Sequence, residues 1–362
     1  MKTLQKFLSL TLAILILSFV KIADISACTG ITLKSNDGAK VLARTVEWAN
    51  TPMRCGYVVV PQGYIHQSLT PEGKNGMKYK ALYGYTAFYT EYENFVVDGI
   101  NEKGLSAGLF FFPGYGEYEA YNPSLKTSTL CDFQFVSWVL SKFDNIDDII
   151  EAVKDVHLVG LDPRVGTVHW RISESSGRTV VLEYVGGKAH FYENKLGVLT
   201  NSPGFEWQMT NLNNYVNLRN GSAPSVNYNG ITIKPFGGGS GMLGLPGDFT
   251  PPSRFVRAAF MQMSVPTQPS AFDAVVQCFR ILNNFDIPIG MAHSDTIPEN
   301  LPGATQITIV TDQKNRKLYF RTVWNSNIRC INTADINYQK VKYQVHILDE
   351  DKNQPIEYLI IR

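Results

Sequence analysis

The sequence predicts an α+β sandwich of packed layers. Short segments rich in β-branched and aromatic residues come in blocks, and helical stretches come in pairs between them. The regular strand–helix–strand alternation of a parallel sheet is missing from the pattern. Blocked strands of this kind form antiparallel sheets that pack face to face, with helices over the outer faces. Of 362 residues, 44% are hydrophobic and 12% aromatic, enough for a large core and an apolar pocket. No repeat, low-complexity tract or linker divides the chain, so one continuous domain is expected over 28–362.

The elements follow in order. Residues 30–33, 41–45 and 57–61 read as strands, the first two joined by a turn at Asn36-Asp37-Gly38. Residues 83–92, 95–98 and 105–112 continue that block. Helical periodicity takes over at 133–143 and 146–156, where Asn145 is placed to cap and Asp147 and Asp148 occupy the first turn. Residues 168–173, 179–185 and 189–192 form a second strand block. Helices are expected at 205–214, 253–263 and 272–282. A hairpin of 306–312 and 317–323, turning at Lys314-Asn315-Arg316, and a strand near 343–348 close the chain.

Residues 1–27 read as an export leader, which places the mature protein in the periplasm or outside the cell. Lys2 and Lys6 precede an uncharged apolar run over 7–20, too short for a stable bilayer anchor, and the small pair Ser26-Ala27 ends it. Cleavage there makes Cys28 the first of 335 residues. Such a cysteine carries nucleophile and base together. Its own α-amino group titrates at roughly 7.7–8.0 and can take the thiol proton. A second reading of Ile25-Ser26-Ala27-Cys28 is a lipobox, which would lipidate the sulfur and leave a tethered binding protein without catalysis. Lys21 and Asp24 argue against it, because they separate the apolar run from the cut.

Composition narrows the function. The formal net charge of +1 becomes −1 when Lys2, Lys6, Lys21 and Asp24 leave with the leader. That provides no basic excess for nucleic acid and no charge run for a membrane surface. Cys55, Cys131, Cys278 and Cys330 lack metal-ligand spacing, so no metal and no cofactor are expected, and they read as buried apolar thiols. Gly239-Ser240-Gly241-Met242-Leu243-Gly244 spells a dinucleotide fingerprint, but Leu245-Pro246-Gly247 stops the helix that such a loop must open. It reads as a flexible pocket-lining loop. His66, His157, His169, His190, His293 and His346 are scattered without a partner motif, so a cysteine–histidine hydrolase ranks below the first-residue mechanism. His169, between Val168 and Trp170, reads as a structural histidine on a strand.

The first hairpin returns Arg44 and Glu47 toward residue 28. There a guanidinium favours thiolate and a carboxylate can orient the amine. Taken alone, the two would be an ordinary surface pair. They stand in longer blocks, however: Cys28-Thr29-Gly30, then Arg44-Thr45-Val46-Glu47-Trp48, then Asp98-Gly99-Ile100-Asn101-Glu102-Lys103-Gly104-Leu105. Leu199-Thr200-Asn201-Ser202-Pro203-Gly204-Phe205-Glu206-Trp207 and the stretch from Gly241-Met242-Leu243-Gly244 to Pro252-Ser253-Arg254-Phe255 follow. In this order the blocks resemble the choloylglycine hydrolase family, N-terminal-nucleophile amidases that include penicillin V acylases and conjugated bile salt hydrolases.

The resemblance implies a four-layer αββα sandwich that hydrolyses linear amides of a small-molecule substrate, penicillin V first, with conjugated bile salts or an N-acyl homoserine lactone as alternatives. It implies Cys28 as nucleophile, Arg44 beside the thiol, Asn201 at the oxyanion and Arg254 lining the site. Glu47 stands where the family has aspartate, one methylene shorter. Misplacing a catalytic group by about 1 Å costs roughly 100-fold, so that exchange bears on rate. Bile salt hydrolases often carry an asparagine in the segment matching 108–113, whereas this chain has Phe110 and Phe111, which leans toward the penicillin V branch. Tyr83, Tyr85, Phe110 and Phe111 are the candidate pocket walls, suited to a phenoxyacetyl group and able to take a steroid or fatty acyl chain. The family's tetramers imply a homotetramer; the residues themselves leave oligomeric state open.

Overall fold

The computed structural model describes residues 28–48, 53–161, 166–289, 291 and 304–361. The leader expected over 1–27 lies outside the described residues. Strands β1 (Cys28–Lys34), β2 (Lys40–Trp48), β3 (Cys55–Val60), β4 (Tyr85–Thr90), β5 (Val96–Asn101) and β6 (Ser106–Phe111) form the first block. Helices α1 (Phe135–Lys142) and α2 (Ile146–Val153) follow, then β7 (Val168–Ser173), β8 (Thr179–Val185) and β9 (Lys188–Glu193). After α3 (Phe205–Asn211), α4 (Pro251–Ser264) and α5 (Ala271–Leu282), the chain ends in β10 (Ala304–Asp312), β11 (Lys317–Thr322), β12 (Arg329–Asn332) and β13 (Gln344–Ile347).

These strands make a five-stranded sheet, β1-β2-β10-β11-β12, and an eight-stranded sheet, β9-β8-β7-β6-β5-β4-β3-β13, whose pairings are all antiparallel. Helices α4 and α5 cover the small sheet, and α1 lies on β5 and β6 of the large one. The layering is therefore αββα, as the blocked pattern requires. Asn145 caps α2 by accepting from the Asp148 N–H at 2.9 Å, and Ser270 caps α5 in a reciprocal box with Asp273. Each cap satisfies donors a helix start leaves unpaired, at about 1 kcal/mol.

Several short pieces escaped sequence reading, among them the parallel pair Thr129–Cys131 with His157–Val159. The paired strands Ile65–Gln67 and Lys78–Lys80 and the strand Val226–Tyr228 are three residues long, too short to show alternation, whereas the partner of the last, Ile231–Ile233, falls within the strand-like stretch 230–234. Edge strand β12 is polar and only partly buried, so it lacks the apolar signal of a core strand. The helix expected over 205–214 ends at Asn211 and tightens into a 3₁₀ turn, Leu212–Tyr215.

Two apolar clusters hold the layers. One joins Phe88, Trp170 and Phe135 with Ile309 and Phe320, spanning the sheets and α1. The other packs Ile31 and Ala43 against Phe255, Val275 and Phe285 beneath α4 and α5. Burying each such side chain contributes roughly 1.5–3 kcal/mol. Because β2 runs between β1 and β10, Arg44 and Glu47 sit on an interior strand of the small sheet, backed by helices on one face and by the large sheet on the other.

Candidate active site

Register places the first contacts. Cys28 pairs with Val46 and Gly30 with Arg44, so Arg44 is the diagonal neighbour of Cys28 on the same face. Arg44 Nη2 donates to Cys28 Sγ at 3.0 Å. Its Nη1 donates to the carbonyls of Val97, at 3.1 Å, and of Leu109. Beneath the guanidinium lies the Phe110 ring, with its centroid 4.0 Å away. Gly30 leaves room here: a Cβ would come 3.0 Å from Phe110 Cζ and 3.1 Å from Arg171 Nη1, a tight fit that those side chains would have to yield to. Behind Arg44, Asp98 Oδ2 lies 4.0 Å from its Nη1 and 3.6 Å from Arg171 Nη2, all three side chains being buried. Burial pushes the Asp98 carboxyl up, against the pull of Arg171 and Arg44.

The opposite face of β1 and β2 meets α4. Arg254 Nη1 donates to the Cys28 carbonyl at 2.5 Å and to Thr29 Oγ1 at 2.9 Å. Its Nη2 donates to Asn201 Oδ1 at 2.7 Å and its Nε to the Phe249 carbonyl at 2.8 Å. Asn201 Oδ1 also accepts from the Cys28 backbone N–H at 2.8 Å, while Nδ2 donates to the Phe111 carbonyl at 2.7 Å. Burial lowers Arg254 to about 10, opposed by Glu47 and Cys28. Glu47, 3% exposed, accepts from Thr305 Oγ1 at 3.0 Å through Oε1. Its Oε2 has no partner among the described residues. Burial pushes its carboxyl up to about 7, against Arg254, Thr45, Thr305 and Arg44.

Cys28, Arg44, Asn201 and Arg254 thus share one hydrogen-bonded network, and Glu47 lies at its edge, bonded to Thr305 instead of to Cys28. The proposed aromatic walls divide. Phe110 is the fully buried floor under Arg44. Phe111 contributes its carbonyl to Asn201, and its side chain projects from the other face of β6, since successive strand residues alternate. The structure does not bring Tyr83 or Tyr85 to Cys28. The Tyr83 hydroxyl donates to Asp144 at 3.1 Å, and Tyr85 is 1% exposed, stacked near His66 on the α1 side of the large sheet. That side faces away from Cys28. After Gly239 comes a single 3₁₀ turn, Ser240–Met242, in place of a dinucleotide-binding helix. Thr29, Thr305, Asp98 and Arg171 were not singled out from the sequence, and of these only Thr29 and Asp98 stand in the blocks of family pattern.

The comparisons with known proteins complete the picture. The family of linear amide C–N hydrolases called the choloylglycine hydrolase family matches residues 28–352. This chain belongs to the choloylglycine hydrolase family. The chain is 31% identical to a bile salt hydrolase/transferase of Clostridium perfringens over 319 residues, 87% of this chain and 94% of that one. It is 26% identical to a penicillin V acylase of Pectobacterium atrosepticum over 280 residues, 72% of this chain and 68% of the other. A crystal structure of conjugated bile acid hydrolase from Clostridium perfringens matches with TM-score 0.79 at 26% identity, over 92% of this chain and all 100% of that one. Penicillin V acylase from Agrobacterium tumefaciens shares the fold, with TM-score 0.71 at 23% identity over 89% and 91% of the two chains. Membership makes the protein a hydrolase of linear amide bonds, and its sandwich is of the N-terminal-nucleophile type.

Proposed function

We propose that Cys28, bared by removal of an export leader, is the N-terminal nucleophile of this amidase, acting in the periplasm or outside the cell on conjugated bile salts. The observation that carries the reading is the pairing of Arg44 Nη2 with Cys28 Sγ at 3.0 Å while Asn201 holds the nitrogen of the same residue at 2.8 Å. The thiol attacks the amide carbonyl and its proton passes to the α-amino group, a positioned base that contributes about 10²–10⁴-fold. Arg44 stabilises the developing thiolate. Arg44 and Arg254 also disfavour a second positive charge nearby, which keeps the amine neutral and basic. The oxyanion is met by the second Nδ2 hydrogen of Asn201 and by backbone N–H groups; one such donor supplies roughly 10²–10³-fold. The protonated amine departs, and water hydrolyses the thioester.

Bile salts come first because similarity to the Clostridium perfringens bile salt hydrolase/transferase is higher and covers 94% of that protein, against 68% of the Pectobacterium atrosepticum penicillin V acylase. Penicillin V is the second reading, favoured by Phe110 and Phe111 where bile salt hydrolases often carry asparagine. The family match begins at Cys28, which supports processing at that bond. The test is intact mass of the exported protein together with kcat/KM for glycocholate and penicillin V. A mass starting at unmodified Cys28, higher kcat/KM for glycocholate and loss of turnover in Cys28→Ser are expected. A lipidated or differently cut N-terminus, or turnover retained by Cys28→Ser, defeats the reading.

A further inference from the structure

We infer that His169 and Glu183 form a buried splint that fixes the loop carrying Asn201, which makes both of them positioning residues for the amidase. The inference deepens the proposed function and rests on it. His169, in β7, is fully buried and Glu183, in β8, is 2% exposed. Their strands pair immediately beyond them, at Trp170 and Leu182. His169 Nδ1 lies 3.0 Å from Glu183 Oε1, and its Nε2 lies 3.1 Å from the carbonyl oxygen of Thr200. The same Glu183 oxygen accepts from the Phe205 N–H at 2.9 Å.

Thr200 and Phe205 bracket Asn201, Ser202, Pro203 and Gly204. The pair therefore grips both ends of the loop whose side chain holds Cys28 N. Further tethers leave the loop little slack. Thr200 Oγ1 donates to the Pro251 carbonyl at 3.1 Å, and Ser202 Oγ donates to the Pro113 carbonyl at 2.6 Å. Gly204 admits the carboxylate at close range, since a Cβ there would stand 3.0 Å from Glu183 Oε2.

Proton accounting shows why the two residues act as a unit. A carbonyl and a carboxylate are both acceptors, so His169 satisfies both only with hydrogen on both ring nitrogens. Both grips on the loop therefore run through one imidazole ring and one carboxyl oxygen. With glutamine at position 183 one grip is lost: an amide oxygen at the shared position keeps the Phe205 N–H but turns a ring lone pair on the Thr200 carbonyl, whereas an amide nitrogen there keeps Thr200 and loses Phe205. Phe112 stacks on the imidazole at 4.5 Å with the planes 6° apart, which fixes the ring's rotation. Nothing in this cluster touches the Cys28 thiol. Its influence runs through the placement of Asn201, and a displacement of about 1 Å there costs roughly 100-fold in rate.

Two variants of the processed full-length enzyme test this. Glu183→Gln keeps the shape and removes the charge, while Gly204→Ala crowds the carboxylate without altering any charge. For each, kcat is expected to fall about tenfold or more with KM within about threefold. Alkylation of Cys28 by iodoacetamide stays at the parental rate, because Arg44 is undisturbed. Amide exchange across 199–207 speeds up while α1 and α5 keep theirs. Where Glu183→Gln fails to fold, Gly204→Ala decides. Folded variants with parental kcat and parental exchange overturn the splint. A parental enzyme that hydrolyses neither glycocholate nor penicillin V defeats the proposed function instead, and the exchange measurement still judges the splint.

Discussion

Thr305 Oγ1 donates to Glu47 Oε1 at 3.0 Å from β10, the strand that pairs with β2 on the side away from β1. The bond draws Glu47 toward its far neighbour, and burial leaves the carboxyl titrating at about 7. Below that pH the carboxylate that would orient the Cys28 amine is protonated. The acid limb of kcat/KM is therefore expected near 7. Thr305→Val removes a bond that favours the ionised form, so the limb should move to higher pH. A pH–rate profile unchanged by the substitution would separate Glu47 from the chemistry.

Arg44→Lys tests the thiol contact. Lysine keeps the charge but loses the fork that reaches Cys28 Sγ and the carbonyls of Val97 and Leu109 together. We expect iodoacetamide to modify Cys28 about tenfold more slowly at neutral pH, and kcat/KM to drop by about 100-fold. Alkylation at the parental rate would mean that the thiol does not depend on this guanidinium.

Asp98 carries the charge balance behind the site. It is the buried carboxylate between Arg44 and Arg171. Asp98→Asn leaves two buried guanidinium groups without that partner, at a cost of about 3–5 kcal/mol. Urea unfolding monitored by intrinsic fluorescence measures the loss. A change under about 1 kcal/mol would show that the arginines are held by their backbone carbonyls alone.

Asp132 supplies a pH signature remote from Cys28. Its Oδ1 accepts from the Phe133 N–H at 2.8 Å, and Oδ2 has no partner among the described residues. Burial pushes the carboxyl from 3.8 to about 7. The folded state holds the proton more tightly than the unfolded chain, so the contribution is complete below pH 3.8 and is lost as pH rises through about 7. The full swing is on the order of 4 kcal/mol. Asp132→Asn should raise Tm relative to the parent at pH 8 and bring little gain at pH 4. An offset equal at both pH values would contradict this.

Much of the site was legible because its signals are local. Cys28 stands after a cleavable-looking stretch, and Asn36-Asp37-Gly38 forces a hairpin that carries Arg44 back to it. Asn201 and Arg254 were reachable only through long blocks of family pattern, since alone they read as a turn residue and a helical charge. Tyr83 and Tyr85 show the limit. An aromatic strand residue such as Tyr85 announces burial, but which sheet face it occupies depends on what packs against that face, and Tyr83 falls in the bend before β4.

From sequence alone came the blocked strands, the paired helices, the capped start of α2 and the chemistry open to a bared Cys28. These follow from periodicity and from neighbours within a few residues. Tertiary structure decided the partners. Glu47 meets Thr305 across 258 residues of chain, Arg254 reaches Cys28 across 226, and Glu183 meets Phe205 across 22. Such contacts arise when two sheets and a helix layer close on one another, and that closure is a property of the assembled layers and of no single segment.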